Sequence, residues 1–169
     1  FLATWQSVQA GRSDLFGLRV ESSGASGGEA SKLTDDSSLE LEVLSLPLSS
    51  GGWLLAYVSN AMRDGYELHA GAVDAMLSPS TEVQLLTNTP SLREDSLDLI
   101  DLGDDSYLLS WIEEDARDVA SRHVKTRRIN ASGVPLAEAE SASLPGLGIQ
   151  SPQLWKIAST LSLAYVNSS

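Results

Sequence analysis

The side chains in this sequence that could do chemistry are carboxylates, and they are clustered. "DD" (35–36), "REDSLD" (93–98), "DLGDD" (101–105) and "EEDARD" (113–118) hold most of the acidic density. Calcium requires about six to eight oxygens converging at roughly 2.3–2.6 Å, often from one short loop. Asp101, Asp104 and Asp105 are the calcium candidates on that ground, with Glu113, Glu114, Asp115 and Asp118 as a second set. Neither run has EF-hand or glycine–aspartate nonapeptide spacing. Solvated loops are therefore the favoured reading, and no cofactor is assigned. Glycosidic hydrolysis asks for two carboxylates flanking the scissile bond. Glu40, Glu42, Asp98 and Asp101 could supply them if separate strands set them opposite one another.

Other chemistries are poorly served. There is no cysteine, which excludes disulfides, thiol nucleophiles and thiolate-held metals. No serine lies in a G-x-S-x-G elbow. His69 and His123 fall at different positions of the repeat described below, so no shared metal role follows. No residue is singled out as catalytic. Binding is carried by two features. Trp53 follows the flexible "SSGG" turn, where an exposed indole could stack on a sugar. Arg12/Asp14, Arg63/Asp64 and Arg117/Asp118 recur after each aromatic strand. In the functional reading, Asp14, Asp64 and Asp118 face a ligand from one ring of loops; in the plainer one, they cap turns and pair locally.

The formal net charge of −12 argues against nucleic acid as a partner. No apolar run reaches the ~20 residues of a membrane helix. "HVKTRR" (123–128) is the only dense basic run, and on a strand its charges divide between two faces. Asn130 and Asn167 open N-x-S sequons.

The elements that must position these groups are legible as a repeat. "FLATW" (1–5), "WLLAY" (53–57), "YLLSW" (107–111) and "LSLAY" (161–165) end in Trp5, Tyr57, Trp111 and Tyr165. Their spacings, 57−5 = 52, 111−57 = 54 and 165−111 = 54, indicate an array, solenoid or propeller. A second strand follows each of the first three, "DLFGLRV", "ELHAGAV" and "HVKTRRI". A further alternation, "LELEVLSL", "SLDLIDLG" and "PQLWKIAS", leads into each later aromatic strand. Period-2 alternation such as Leu39, Leu41, Val43 marks half-buried strands, and Gly-, Ser-, Asn- and Asp-rich breaks separate them.

Four antiparallel strands in a unit of this length make a propeller blade. Lettered A to D with the aromatic strand as B, the chain reads B-C-D, A-B-C-D, A-B-C-D, A-B. The expected fold is all-β, a β-propeller segment of about three blades plus an extra strand, with a β-solenoid or β-sandwich as alternative. Residues 1–169 form one segment with units at 1–38, 39–91, 92–150 and 151–169.

At "DLFGLRVESSG" (14–24) the unit resembles the repeats of secreted and surface β-propeller proteins of bacteria, which run roughly YLVVW…DIYGxRVxxxG. Asp14, Leu15, Phe16, Gly17, Arg19, Val20 and Gly24 fit that pattern. Arg128, Ile129 and Gly133 keep part of it, and the middle unit keeps Ala70 and Val73 but has neither the Arg nor the Gly. The resemblance implies export, to the periplasm, the cell surface or beyond, and names no catalytic residue. The strand at Phe1 suggests release from a longer precursor. The function expected is a non-catalytic binding, display or assembly scaffold, whose partners are proteins or further blades completing the ring. A carbohydrate-binding module is the first alternative and a propeller glycoside hydrolase the second.

Overall fold

In the computed structural model, residues 1–9, 12–35, 38–60, 65–89, 91–115, 117–143 and 149–167 are described. Among them lie thirteen strands and no helix. The first sheet comprises β1 (Leu2–Gln9), β2 (Arg12–Arg19) and β3 (Ser31–Lys32). The second runs β4 (Glu40–Pro47), β5 (Trp53–Ser59), β6 (Glu67–Val73), β7 (Gln84–Leu85). The third runs β8 (Leu92–Gly103), β9 (Ser106–Asp115), β10 (Asp118–Asn130), β11 (Glu140–Ser141). The fourth pairs β12 (Ile149–Ile157) with β13 (Thr160–Asn167). All strand pairing within the sheets is antiparallel. "LREDSLDLI" (92–100), the nearest approach to helical periodicity, lies within β8.

Strand β4 packs beside β1, β8 beside β4, and β12 beside β8, while β3, β7 and β11 touch chiefly their own sheets. Inner edges that converge while outer edges diverge describe blades around an axis. A solenoid would stack its units in line instead.

The second and third sheets enclose the largest apolar cluster, where Leu54, Ala56 and Val58 of β5 meet Tyr107, Leu109 and Trp111 of β9. A smaller cluster joins Leu15 and Leu33 to Leu55, Tyr57 and Val73, and a third holds Ile112, Val124 and Ile149. The repeated aromatics share a register: Trp5 lies opposite Phe16, Tyr57 opposite His69, and Trp111 opposite Lys125. Their burial differs along the chain. Tyr57 and Trp111 are 5% and 0% exposed, whereas Trp5 and Tyr165 are 39% and 38% exposed. The buried pair lie between sheets. Trp5 stacks on Phe16 at 6.0 Å instead, and Tyr165 belongs to a sheet with two described strands.

Two local devices recur with the blade. Strand C presents one amide to a hydroxyl beyond strand D: Leu15 N–H to Thr34 Oγ1 (2.9 Å), Leu68 N–H to Thr87 Oγ1 (2.9 Å), and Val124 N–H to Ser143 Oγ (2.8 Å). Each C–D turn places a left-handed residue, Gly24 (φ 85°), Leu77 (φ 64°) or Gly133 (φ 80°). At Gly133 a Cβ would meet the Ala70 carbonyl group at 2.8 Å, so glycine serves both the turn and the close approach of neighbouring blades. The middle unit accepts Leu77 there because its side chain is buried against the Tyr57 cluster.

Candidate functional site

Among the described residues, carboxylates meet across the junctions between blades in two places. The first is the inner edge. Each described A strand breaks register with its B strand, between Glu40 and Val43, Asp95 and Asp98, and Gln150 and Gln153. Ser96 (φ 57°) and Ser151 (φ 47°) sit at the later two irregularities in left-handed conformation. A bulge takes a residue out of the ladder and leaves its backbone groups in need of other partners. The preceding blade supplies them. Leu97 N–H donates to Glu42 Oε2 at 3.0 Å, and Leu154 N–H donates to Asp98 Oδ2 at 2.5 Å. The other oxygen of Asp98 accepts Leu99 N–H at 2.9 Å. Thus the same carboxylate-to-amide bridge joins the second blade to the third and the third to the fourth.

These bridges border an open cavity of about 440 Å³, lined in part by Glu42, Ser96, Asp98, Gln153 and Trp155. Glu42 is exposed and Asp98 half-buried, so two carboxylates on adjacent blades are accessible from one space. That space can admit a polar ligand of several rings.

The second cluster lies deeper, at the end of the blades that carries the B–C and D–A connections. Glu67 opens strand C of the second blade and Glu94 lies on strand A of the third; both are buried. Thr87 Oγ1 donates to Glu67 Oε2 (2.8 Å) and Thr89 N–H to Glu67 Oε1 (2.9 Å), while Thr89 Oγ1 donates to Glu94 Oε1 (2.7 Å). Burial pushes the Glu94 carboxyl up to about 8; the charges of Glu67 and Glu113 act in the same direction, against the Thr89 hydroxyl. Glu94 therefore carries its proton at neutral pH, which removes one of two adjacent negative charges from a buried site. Glu40 faces Ser59 as Glu94 faces Glu113, so the buried glutamate recurs between these two blades. In the fourth sheet the corresponding place belongs to Ile149, opposite Asn167.

Other residues singled out in the sequence lie apart from these clusters. Trp53 is half-buried against the Tyr57 cluster and lies at the opposite, A–B end of its blade. Asp14 and Arg12 are strand residues of β2, which corrects their placement in a loop; Asp14 pairs with Lys32 at 3.1 Å. Asp118 likewise opens β10, opposite Asp115. Arg63 and Asp64 lie outside the described residues. Asp14 and Asp118 thus lie on C strands rather than in the B–C loops.

The calcium candidates are engaged separately: Asp101 Oδ1 accepts Gly103 N–H, Asp105 accepts Ser49 Oγ–H, and Asp104 pairs with Arg128 at 2.8 Å. Among the described residues no three His, Asp or Glu side chains come together as a metal site. His69 stacks on Tyr57 at 5.2 Å and His123 faces Glu113 across the ladder. The basic run pairs mainly within its own blade, Lys125 with Glu113, Arg127 with Glu138 and Arg128 with Asp104, rather than with acids of a neighbour. Among the described residues, Arg127 of this run reaches across, to the Leu86 carbonyl. The sequon at Asn130 is drawn into its turn, where Asn130 Oδ1 accepts Ser132 N–H and Val134 N–H.

Sequence reasoning did not find the Glu67–Glu94 cluster, the two amide bridges or the position of Trp155 beside Asp98. Only the strand-A register could have signalled the last two, since Glu42 and Asp98 recur on successive inner strands.

No protein-family model matches the chain, and no curated protein matches it. A solved structure, that of a thermostable family-43 glycoside hydrolase, aligns with 96% of this chain and 64% of its own, at TM-score 0.53 and 12% identity. The fold is a β-propeller segment. The chain spans 64% of the length of the enzyme whose fold it shares. The expectation of a non-catalytic scaffold is set aside on this finding, a likeness of fold to a glycoside hydrolase. No helix among the described residues is long and apolar enough to cross a membrane.

Proposed function

We propose that this chain is part of a glycoside hydrolase of the propeller type, acting in the inner-edge cavity. The observation that carries the reading is the presence of Glu42 and Asp98, from adjacent blades, on the wall of one open space. Glycoside hydrolysis needs one carboxyl to protonate the leaving oxygen and a second carboxylate as base or nucleophile. Asp98 accepts two backbone N–H groups, which fix its orientation, and it takes the base or nucleophile role. Glu42, on the neighbouring blade, supplies the other carboxyl of the pair. The fold likeness to a family-43 glycoside hydrolase supports the same reaction class. Export, implied by the resemblance to surface repeats, belongs to this reading, since polymeric glycans are met outside the cell.

The test is release of nitrophenol from a panel of aryl glycosides, and of reducing ends from polysaccharides. Glu42→Gln and Asp98→Asn are expected to lower the rate by roughly a hundredfold or more, the scale of a lost acid–base group. Thermal unfolding of each variant guards against simple loss of the fold. Absence of hydrolysis across the panel, or full activity in both folded variants, overturns the proposal.

A further inference from the structure

The four tryptophans have different surroundings. Trp111 is fully buried, Trp5 stacks on Phe16, and Trp53 packs against the Tyr57 cluster. Trp155 belongs to none of the three apolar clusters, is 40% exposed, and lines the cavity that Glu42 and Asp98 border. An indole left half in water beside polar groups is not explained by core packing.

Its strand is tied to the third blade on both sides, once through the backbone and once through a side chain. Leu154, one residue before, gives its N–H to Asp98, and Lys156, one residue after, gives its ammonium to the Leu102 carbonyl. Both acceptors belong to the third blade. The ring is therefore presented from a strand tied to its neighbour immediately before and after it, so little ordering remains to be done when a ligand arrives. A flat apolar face flanked by carboxylates and the Gln153 amide matches the chemistry of a sugar ring, whose C–H face stacks on an aromatic while its hydroxyls meet polar groups. The bordering carboxylates, in a chain of net charge −12, repel anionic sugars.

We propose that Trp155 is the stacking platform for a neutral oligosaccharide at the inner-edge cavity. The proposal rests on the glycoside hydrolase reading and adds to it the ligand class and a recognition residue. Binding is measured by calorimetry with gluco-, xylo-, manno- and galacto-configured hexasaccharides and with an oligogalacturonate. At least one neutral hexasaccharide is expected to bind and the oligogalacturonate is not. Trp155→Ala should weaken that affinity about tenfold, Trp155→Phe should recover part of it, and Trp53→Phe should leave it unchanged. Equal affinity in the wild type and Trp155→Ala, or binding of the oligogalacturonate alone, overturns this inference. So does the absence of any hexasaccharide binding. Hydrolysis of aryl monoglycosides, measured in parallel, reports on the enzyme reading separately. Activity there with no effect of Trp155→Ala on binding sinks the platform and spares the reaction.

Discussion

The junction between the second and third blades and that between the third and fourth use the same inner-edge bridge, yet are held by different materials. The former buries a broad apolar seam around Trp111 and, at one end, two glutamates linked through Thr87 and Thr89. The latter has a small cluster of Ile112, Val124 and Ile149, with isoleucine where the other blades put glutamate. A propeller interface thus has a fixed backbone geometry and an interchangeable filling. The polar filling brings a protonation state with it, and the apolar one does not.

The strongest way to break the contrast is Trp111→Ala. Removing a fully buried indole from the larger seam should cost about 3–5 kcal/mol, read by chemical denaturation. A loss below about 1 kcal/mol would mean that the seam does not hold these blades together.

Glu94→Gln sharpens the difference between polar and apolar filling. The native chain keeps a proton on Glu94 up to about pH 8, whereas the unfolded chain releases it near the ordinary value of 4.5. The native state binds more protons across that window, so this group's contribution is full below about 4.5, falls as pH rises to about 8, and is level above it. The variant should flatten the decline by an amount on the order of a few kcal/mol across the window. Parallel pH–stability curves for the two proteins would refute the buried protonated acid.

Asp98→Ala tests the bridge common to both junctions. Leaving the Leu154 amide without its acceptor should cost about 1–3 kcal/mol, with faster hydrogen exchange at that amide before any change at Leu68. Exchange that quickens equally at both sites would place the effect in global unfolding instead. The smallest effect is expected at the solvent edge. Asp104→Asn removes an exposed pair with Arg128, which should leave stability almost unchanged, any small difference vanishing at high salt.

The blade order was legible because it rests on local signals. Alternation along "LELEVLSL" and the return of Trp5, Tyr57, Trp111 and Tyr165 follow from the strand period and need no knowledge of distant partners. The inner-edge bridges were not legible, because Glu42 and Asp98 bind backbone amides, which have no letter in the sequence. Nor were the irregularities that free those amides, since Ser96 and Ser151 adopt positive φ without the glycine that usually announces it. Glu67 and Glu94 meet only because the connection through Thr87 and Thr89 folds one blade onto the next. Trp53 and Trp155 could be told apart from the repeating aromatics, but their environments could not. One indole follows a glycine turn and is covered, and the other lies mid-strand and is open.

The hydroxyls of Thr34, Thr87 and Ser143 bear on how the rim of each of the first three blades is closed to further strands. Strands β3, β7 and β11 are two residues long, so each of the first three blades ends in an edge too short to template a foreign strand. Just past it, the next amide of strand C is already occupied by its own side-chain oxygen. A stray peptide seeking to extend the rim would have to displace an intramolecular partner at its first step, so fibril growth from the periphery of these three blades is discouraged.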